Sequence, residues 1–129
     1  MNIEIIPCLN DNYSYLIKDE QTDIVAIIDP SEFTPCDEKI NSKFKKLDYI
    51  LNTHHHFDHV GGNTELKKKY GSKILGFEKD EKRIPEIDIL LKDGQEFNIG
   101  NLNFKTIFIP GHTSGHIAFY FEKEKVVFT

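Results

Sequence analysis

Residues 53–59 read "THHHFDH", four histidines and one aspartate in seven positions, between the apolar "YIL" of 49–51 and the "VGGN" of 60–63. Neutral imidazoles and carboxylates are the usual nitrogen and oxygen ligands of zinc and its first-row neighbours, and a site gathers three or four of them at about 2.0–2.2 Å from the ion. In an extended segment the side chains at i and i+2 point the same way, so His54 and His56 can share a cation. A turn at Phe57 then swings Asp58 and His59 towards a neighbouring position, and the spacing predicts two ions. His55 alternates away from its neighbours and is expected to face out of the centre. An affinity-tag origin does not fit a run that is internal, framed by a strand and Gly-Gly, and interrupted by Asp.

A further ligand for the first ion has to come from elsewhere in the chain. "PGHTSGH" (110–116) offers His112 immediately after an apolar segment, in a Pro-Gly loop that allows close backbone approach. His116 is read as a brace that hydrogen-bonds the loop and not as a ligand. Asp29, at the end of "IVAIIDP", can orient a ligand histidine or simply terminate a strand before Pro; the residues leave both open. Asn10, Asp11 and Asn12 suit a turn in which local side-chain hydrogen bonds suffice, and no chemistry is assigned to them.

Outward from the cluster, "DYILN" is a continuous apolar run of the kind found in a strand buried on both faces, with chemistry at its C-terminal end, where α/β sheets usually place it. Before it, "IEII", "YSYLI" and "IVAIIDP" predict a three-stranded meander. Thr34-Pro35 predicts an N-cap and first turn for a helix carrying Ile40, Phe44 and Leu47. After the cluster, Asn63 or Thr64 is expected to cap a helix over "TELKKKY", closed by Gly71. "KILG" returns to the sheet. From residue 87 the pattern is β, ending in a hairpin about "EKEK" and in "VVFT", which reads as a buried strand. Because the chain stops there with no polar tail, it is expected to be cut short of a complete fold, leaving a strand edge and apolar faces uncovered.

The length of 129 residues suits one domain, and 39% apolar with 29% charged residues is an ordinary globular composition, so a folded core is expected. A formal charge of −5 excludes a global basic field for nucleic acid or anionic membrane and favours small-molecule partners. Lys67, Lys68 and Lys69 read as a solvated helix face. Cys8 and Cys36 lack a CxxC spacing, and the N-terminus lacks a signal-peptide pattern; free thiols, a cytoplasmic location and a monomer are expected.

The chain resembles the metallo-β-lactamase superfamily and, within it, the glyoxalase II (hydroxyacylglutathione hydrolase) family. "THHHFDHVGGN" matches the THxHxDH signature with its Gly-Gly, and "IPGHTSGH" matches the later PGHTxGH signature; "IPCLNDNYSYLI", "IIDP" and "VVFT" also correspond in order and spacing. The resemblance implies an α/β fold, the αββα sandwich, here as its N-terminal part: residues 1–129 form an incomplete domain without the C-terminal helical region that binds glutathione. It implies a binuclear centre of divalent ions, zinc first, with iron or manganese as alternatives. His54, His56 and His112 hold one ion, while Asp58 and His59 contribute to the other. Asp58 also orients the nucleophile. The implied reaction is hydrolysis of S-D-lactoylglutathione to glutathione and D-lactate, a step of methylglyoxal detoxification. Two further ligands, a bridging Asp and a His, are expected beyond residue 129, so the chain alone is expected to be almost inactive. The alternatives are another enzyme on the same fold, such as a mono-iron persulfide dioxygenase, and a non-catalytic truncated product.

Overall fold

The computed structural model describes residues 1–129. The opening apolar segments form β1 (Asn2–Cys8), β2 (Asn12–Lys18) and β3 (Val25–Ile28), each antiparallel to the one before it. After helix α1 (Phe33–Lys43) the pairing changes sense. β4 (Tyr49–Leu51) runs parallel to β3, β5 (Lys73–Phe77) parallel to β4, and β6 (Ile89–Leu91) parallel to β5, giving a six-stranded sheet in sequence order. Ile28 pairs with Leu51, so β3 and β4 end side by side at one rim. Asp29 leaves from the first of these ends and the histidine cluster from the second.

The second sheet contains β7 (Glu96–Ile99), β8 (Leu102–Phe108), β9 (Ile117–Phe121) and β10 (Val126–Phe128), all antiparallel, in the order β10-β9-β8-β7. Phe108 pairs with Ile117, which makes residues 109–116 the loop between β8 and β9.

Strand alternation builds two cores at once. Ile17, Ala26, Leu51 and Leu75 face the second sheet, where Phe104, Phe119 and Phe121 meet them. Their neighbours Leu16, Val25, Ile50 and Ile74 face the other way, against Cys36 and Ile40 of α1 and Leu66 of α3 (Asn63–Tyr70). Each such side chain contributes roughly 1.5–3 kcal/mol by leaving water. The central strands therefore hold the rim rigidly. The layers run helix, sheet, sheet; the far face of the second sheet presents the exposed Asn98, Asn103 and Lys105.

Several local expectations shift. α1 begins at Phe33, one residue before Thr34, with Glu32 as N-cap; the Glu32 carboxylate accepts the Leu9 N–H instead of capping the helix. Pro35 still lies in the first turn, where no intrahelical acceptor is lost. Leu47 is buried but lies beyond the helix. The N-cap of α3 is Gly62 and not Asn63 or Thr64, because the Asn63 amide is exchanged with that of Asn52 at 2.7 and 3.3 Å. Gly71 closes α3 at φ +71°, as read from the sequence. β10 is an edge strand, not a buried one: Val127 is 53% exposed, and Val126–Phe128 line an open apolar groove with Ile3, Ile5 and Tyr15.

Lys67 and Lys69 pair with Asp88 and Asp37 at 2.9 and 2.8 Å on the surface, where such pairs contribute roughly 0–1 kcal/mol. Cys8 and Cys36 are free and buried with their sulfurs 3.9 Å apart; burial and then the neighbouring Cys8 push the Cys36 thiol up to about 12. No helix is long and apolar enough to cross a membrane.

Candidate metal centre

The first loop is organised by Asp29. This residue is buried and adopts a left-handed backbone, φ +49°, which Asp tolerates better than most side chains. Its Oδ1 accepts the Thr53 N–H at 2.8 Å; its Oδ2 accepts the Thr53 hydroxyl at 2.6 Å and the His59 Nδ1–H at 3.0 Å. Of the two roles open to Asp29 in the sequence, the structure selects the orienting one. Asp29, His54 and His59 also lie close enough to form a ligand trio among themselves. Because both Asp29 oxygens are committed to hydrogen bonds, we read it as a support.

Thr53 passes this order to His54. With its hydroxyl proton given to Asp29, Thr53 Oγ1 accepts His54 Nδ1–H at 2.9 Å. The lone pair of His54 is thereby placed on Nε2, which is buried and has no hydrogen-bond partner. Burial, and then the neighbouring histidines, push this imidazole down to about 3. A buried, neutral nitrogen without a partner is what a cation requires.

The expected turn at Phe57 is a one-turn helix, α2 (Phe57–Val60), with His56 at its N-cap and the His59 N–H donating to His56 O at 2.8 Å. It turns Phe57 out to solvent and carries Asp58 and His59 back towards Asp29. Gly61 lets the helix settle on residues 30 and 31: a β-carbon there would stand 2.2 Å from the Ser31 carbonyl oxygen. Gly62 N–H anchors the other side on Pro30 O at 2.8 Å.

From the second loop His112 reaches across. The rings of His54, His56 and His112 stand 4.7–5.0 Å apart by centroid, and one nitrogen of each lies within 4.8 Å of the others. Nitrogens around a tetrahedral ion at about 2.1 Å stand about 3.4 Å apart, so modest closure suffices. Beside this trio, Asp58 Oδ2 and His59 Nε2 are 3.5 Å apart, a second donor pair. All five residues singled out in the sequence are thus gathered at one rim. The donor set, imidazole and carboxylate, fits divalent first-row ions.

Electrostatics separate the members. A hydrogen bond from Asn12, then the His59 charge, hold the Asp58 carboxyl below its ordinary range against the opposing effect of burial. Burial lowers His59, but the hydrogen bond and charge of Asp29, with Asp58 behind them, outweigh it and raise the imidazole. His116 packs at 4.6 Å from the His54 ring, is lowered by burial, and belongs to neither donor group. His55 points away from the trio towards Asp80, 3.7 Å off.

Sequence reasoning missed Asn12. Its side-chain amide donates to Asp58 Oδ2 at 2.9 Å and to Asp58 O at 3.4 Å, across 46 residues of chain. The Asn-Asp-Asn turn explained itself locally, so no signal in it pointed to a distant partner. Thr53 was missed as well: nothing in its position shows that its hydroxyl joins Asp29 to His54.

A two-sheet sandwich with a histidine-rich cation pocket where β3, β4 and the β8–β9 loop end defines a class of metal-dependent proteins. The profile of the metallo-beta-lactamase superfamily matches residues 9–129, and the chain belongs to this superfamily. Among curated proteins, a Pelagibacter ubique protein named hydroxyacylglutathione hydrolase is 55% identical over all 129 residues, which span 54% of its own length. A Methylococcus capsulatus protein of the same name is 46% identical over 123 residues, 95% of this chain and 48% of that protein. The chain therefore spans about half the length of the curated relatives it matches. Among solved structures, the BLEG-1 B3 metallo-beta-lactamase shares the fold at TM-score 0.82 and 22% identity, over 98% of this chain and 70% of that one. ETHE1 from Myxococcus xanthus matches at TM-score 0.77 and 25% identity, over 92% and 53%.

Proposed function

We propose that this chain supplies the main ligand loops of a binuclear thioester hydrolase acting on S-D-lactoylglutathione, with His54, His56 and His112 around one cation and Asp58 and His59 on a second. The observation that carries this reading is the 55% identity, over the whole chain, to a relative named hydroxyacylglutathione hydrolase. The gathering of all five donors at one rim supports it.

When bound, two divalent ions, zinc in this proposal, polarise the thioester carbonyl, lower the pKa of water and stabilise the departing thiolate. The chain's own residues hold and orient. His54 presents a neutral Nε2 because Thr53 and Asp29 fix its tautomer. Asp29 does the same for His59 by occupying its Nδ1 and leaving Nε2 towards Asp58. Asp58, ionised and steadied by Asn12, accepts a hydrogen bond from the attacking water and turns its lone pair towards the carbonyl carbon. His112 lies on the solvent side, where substrate enters. In this reading the remaining metal donors and the glutathione contacts belong to the additional length of the relatives. The free thiols support a cytoplasmic location, and a monomer is proposed with it.

The test is to strip the chain of metal, titrate it with zinc and follow S-D-lactoylglutathione hydrolysis. One tightly held zinc per chain is expected, with turnover far below that of the full-length Pelagibacter relative and none after His56→Ala. Failure to take up zinc, or faster hydrolysis of a β-lactam than of the thioester, would overturn the reading. Turnover equal to the relative's would refute the assignment of donors to the additional length.

A further inference from the structure

We infer that Asp80 and Arg83 are positioning residues, a strut that locks the second ligand loop to the first so that His112 meets His54 and His56. This rests on the metal-centre reading above.

Asp80 ends the 3-10 turn Glu78–Asp80 that follows β5, and it is completely buried. Its Oδ1 accepts a hydrogen bond from Arg83 Nη2, and the same nitrogen donates to Ser114 Oγ at 3.1 Å. The carboxylate also lies flat against Gly115, where a β-carbon would stand 2.3 Å from Oδ1. Its other oxygen is 3.7 Å from His55 Nδ1, and neither of these two atoms has another partner. One buried carboxylate thus touches both loops. His55 sits between the candidate ligands His54 and His56; Ser114 and Gly115 lie two and three residues after His112.

A local ion pair for stability alone would need none of this. Arg83 is 40% exposed and could be satisfied by water, and burying a carboxylate is unfavourable unless its partners are well placed. The second loop has the greater need of support. The backbone bond from Ile117 N–H to Thr53 O, at 2.9 Å, joins the two loops at their base. Beyond that base the His112 side chain is exposed, with no hydrogen bond of its own among those that fix the first loop. Its place therefore follows from the backbone of 113–115, which the strut grips. Gly115 is required at this contact because any side chain would expel Asp80.

The test uses the full chain, with cobalt(II) as probe for its visible ligand-field bands and zinc affinity measured against a chelator. Asp80→Asn with Arg83→Met removes both charges together and strands neither. Ser114→Ala removes the hydrogen bond from Arg83 to the second loop and leaves the ion pair and the Gly115 contact whole. Expected results are a loss of about 10–100-fold in affinity for the double variant and about tenfold for Ser114→Ala, each with altered cobalt bands. Arg83→Lys should regain part of the affinity. If the double variant does not fold, Ser114→Ala decides. Wild-type affinity and bands in these variants, even with a lowered melting midpoint, would dismiss the strut while His56→Ala still abolishes binding. If His56→Ala also binds normally, the metal-centre reading itself falls.

Discussion

The two loops that bring donors to the rim are built by opposite means. The first, 53–59, is knitted into the sheet: Asp29 accepts three hydrogen bonds from it, Asn52 reaches the His59 carbonyl at 3.2 Å, and Asn12 holds Asp58. The second, 110–116, leaves His112 in solvent; short-range bonds such as Gly111 N–H to Thr113 O at 3.0 Å shape it, and the Asp80–Arg83 pair meets it from outside at Ser114 and Gly115. One loop sets the geometry and the other closes on it. Burying most of a site and holding the last, exposed donor only through its loop backbone keeps an entrance open without leaving the cation position undefined.

The contrast predicts unequal responses to the loss of a donor. Both His54→Ala and His112→Ala should lower zinc affinity by more than the roughly hundredfold that loss of a supporting partner produces. Only His54→Ala should also lower the melting midpoint of the metal-free chain, because His54 is buried and His112 is not. Equal effects on stability, read by thermal unfolding, would erase the distinction.

Asp29→Ala comes next. It leaves the Thr53 N–H and hydroxyl and His59 Nδ1 without their acceptor, at a cost of about 3 kcal/mol in denaturant unfolding. Asn12→Ala is smaller, about 1 kcal/mol and about tenfold in affinity for a second metal equivalent, since it loosens Asp58 only. An unchanged second equivalent would break the link between β2 and the first loop.

The smallest effect is on pH. His54 has a folded pKa of about 3 against an ordinary 6.5, so its neutral form is the folded one. That contribution is fully present above about pH 6.5 and declines as pH falls from there towards 3. From about pH 7.5 to about pH 6 the metal-free chain should lose about 1 kcal/mol through His54. His59, raised by Asp29, acts in the opposite sense: its contribution is present below about 6.5 and is lost as pH rises through its folded value. A metal-free chain that gains stability over this interval would show that His59 outweighs His54.

Much of this was legible in the sequence because it is local. Ligand types at i, i+2, i+4 and i+5 after an apolar strand announce a cation site, and the continuous apolar runs that become β3 and β4 announce strands buried on both faces. What was not legible depends on distant partners. The amide of Asn63 was free to cap α3 until the fold placed Asn52 against it. Asn12 and Asp80 look like turn residues because the groups they serve lie 46 and 25 or more positions away. "VVFT" has a core-like composition, yet strand order puts it at an edge. Topology, which a single sequence encodes only diffusely, decides each of these cases.

The central claim is that imidazoles from both loops close on one cation. X-ray absorption at the zinc edge of the chain loaded with one equivalent tests it most directly. Three imidazoles per zinc in the wild-type chain, and two in His112→Ala, are predicted; an unchanged imidazole count in His112→Ala would contradict the account.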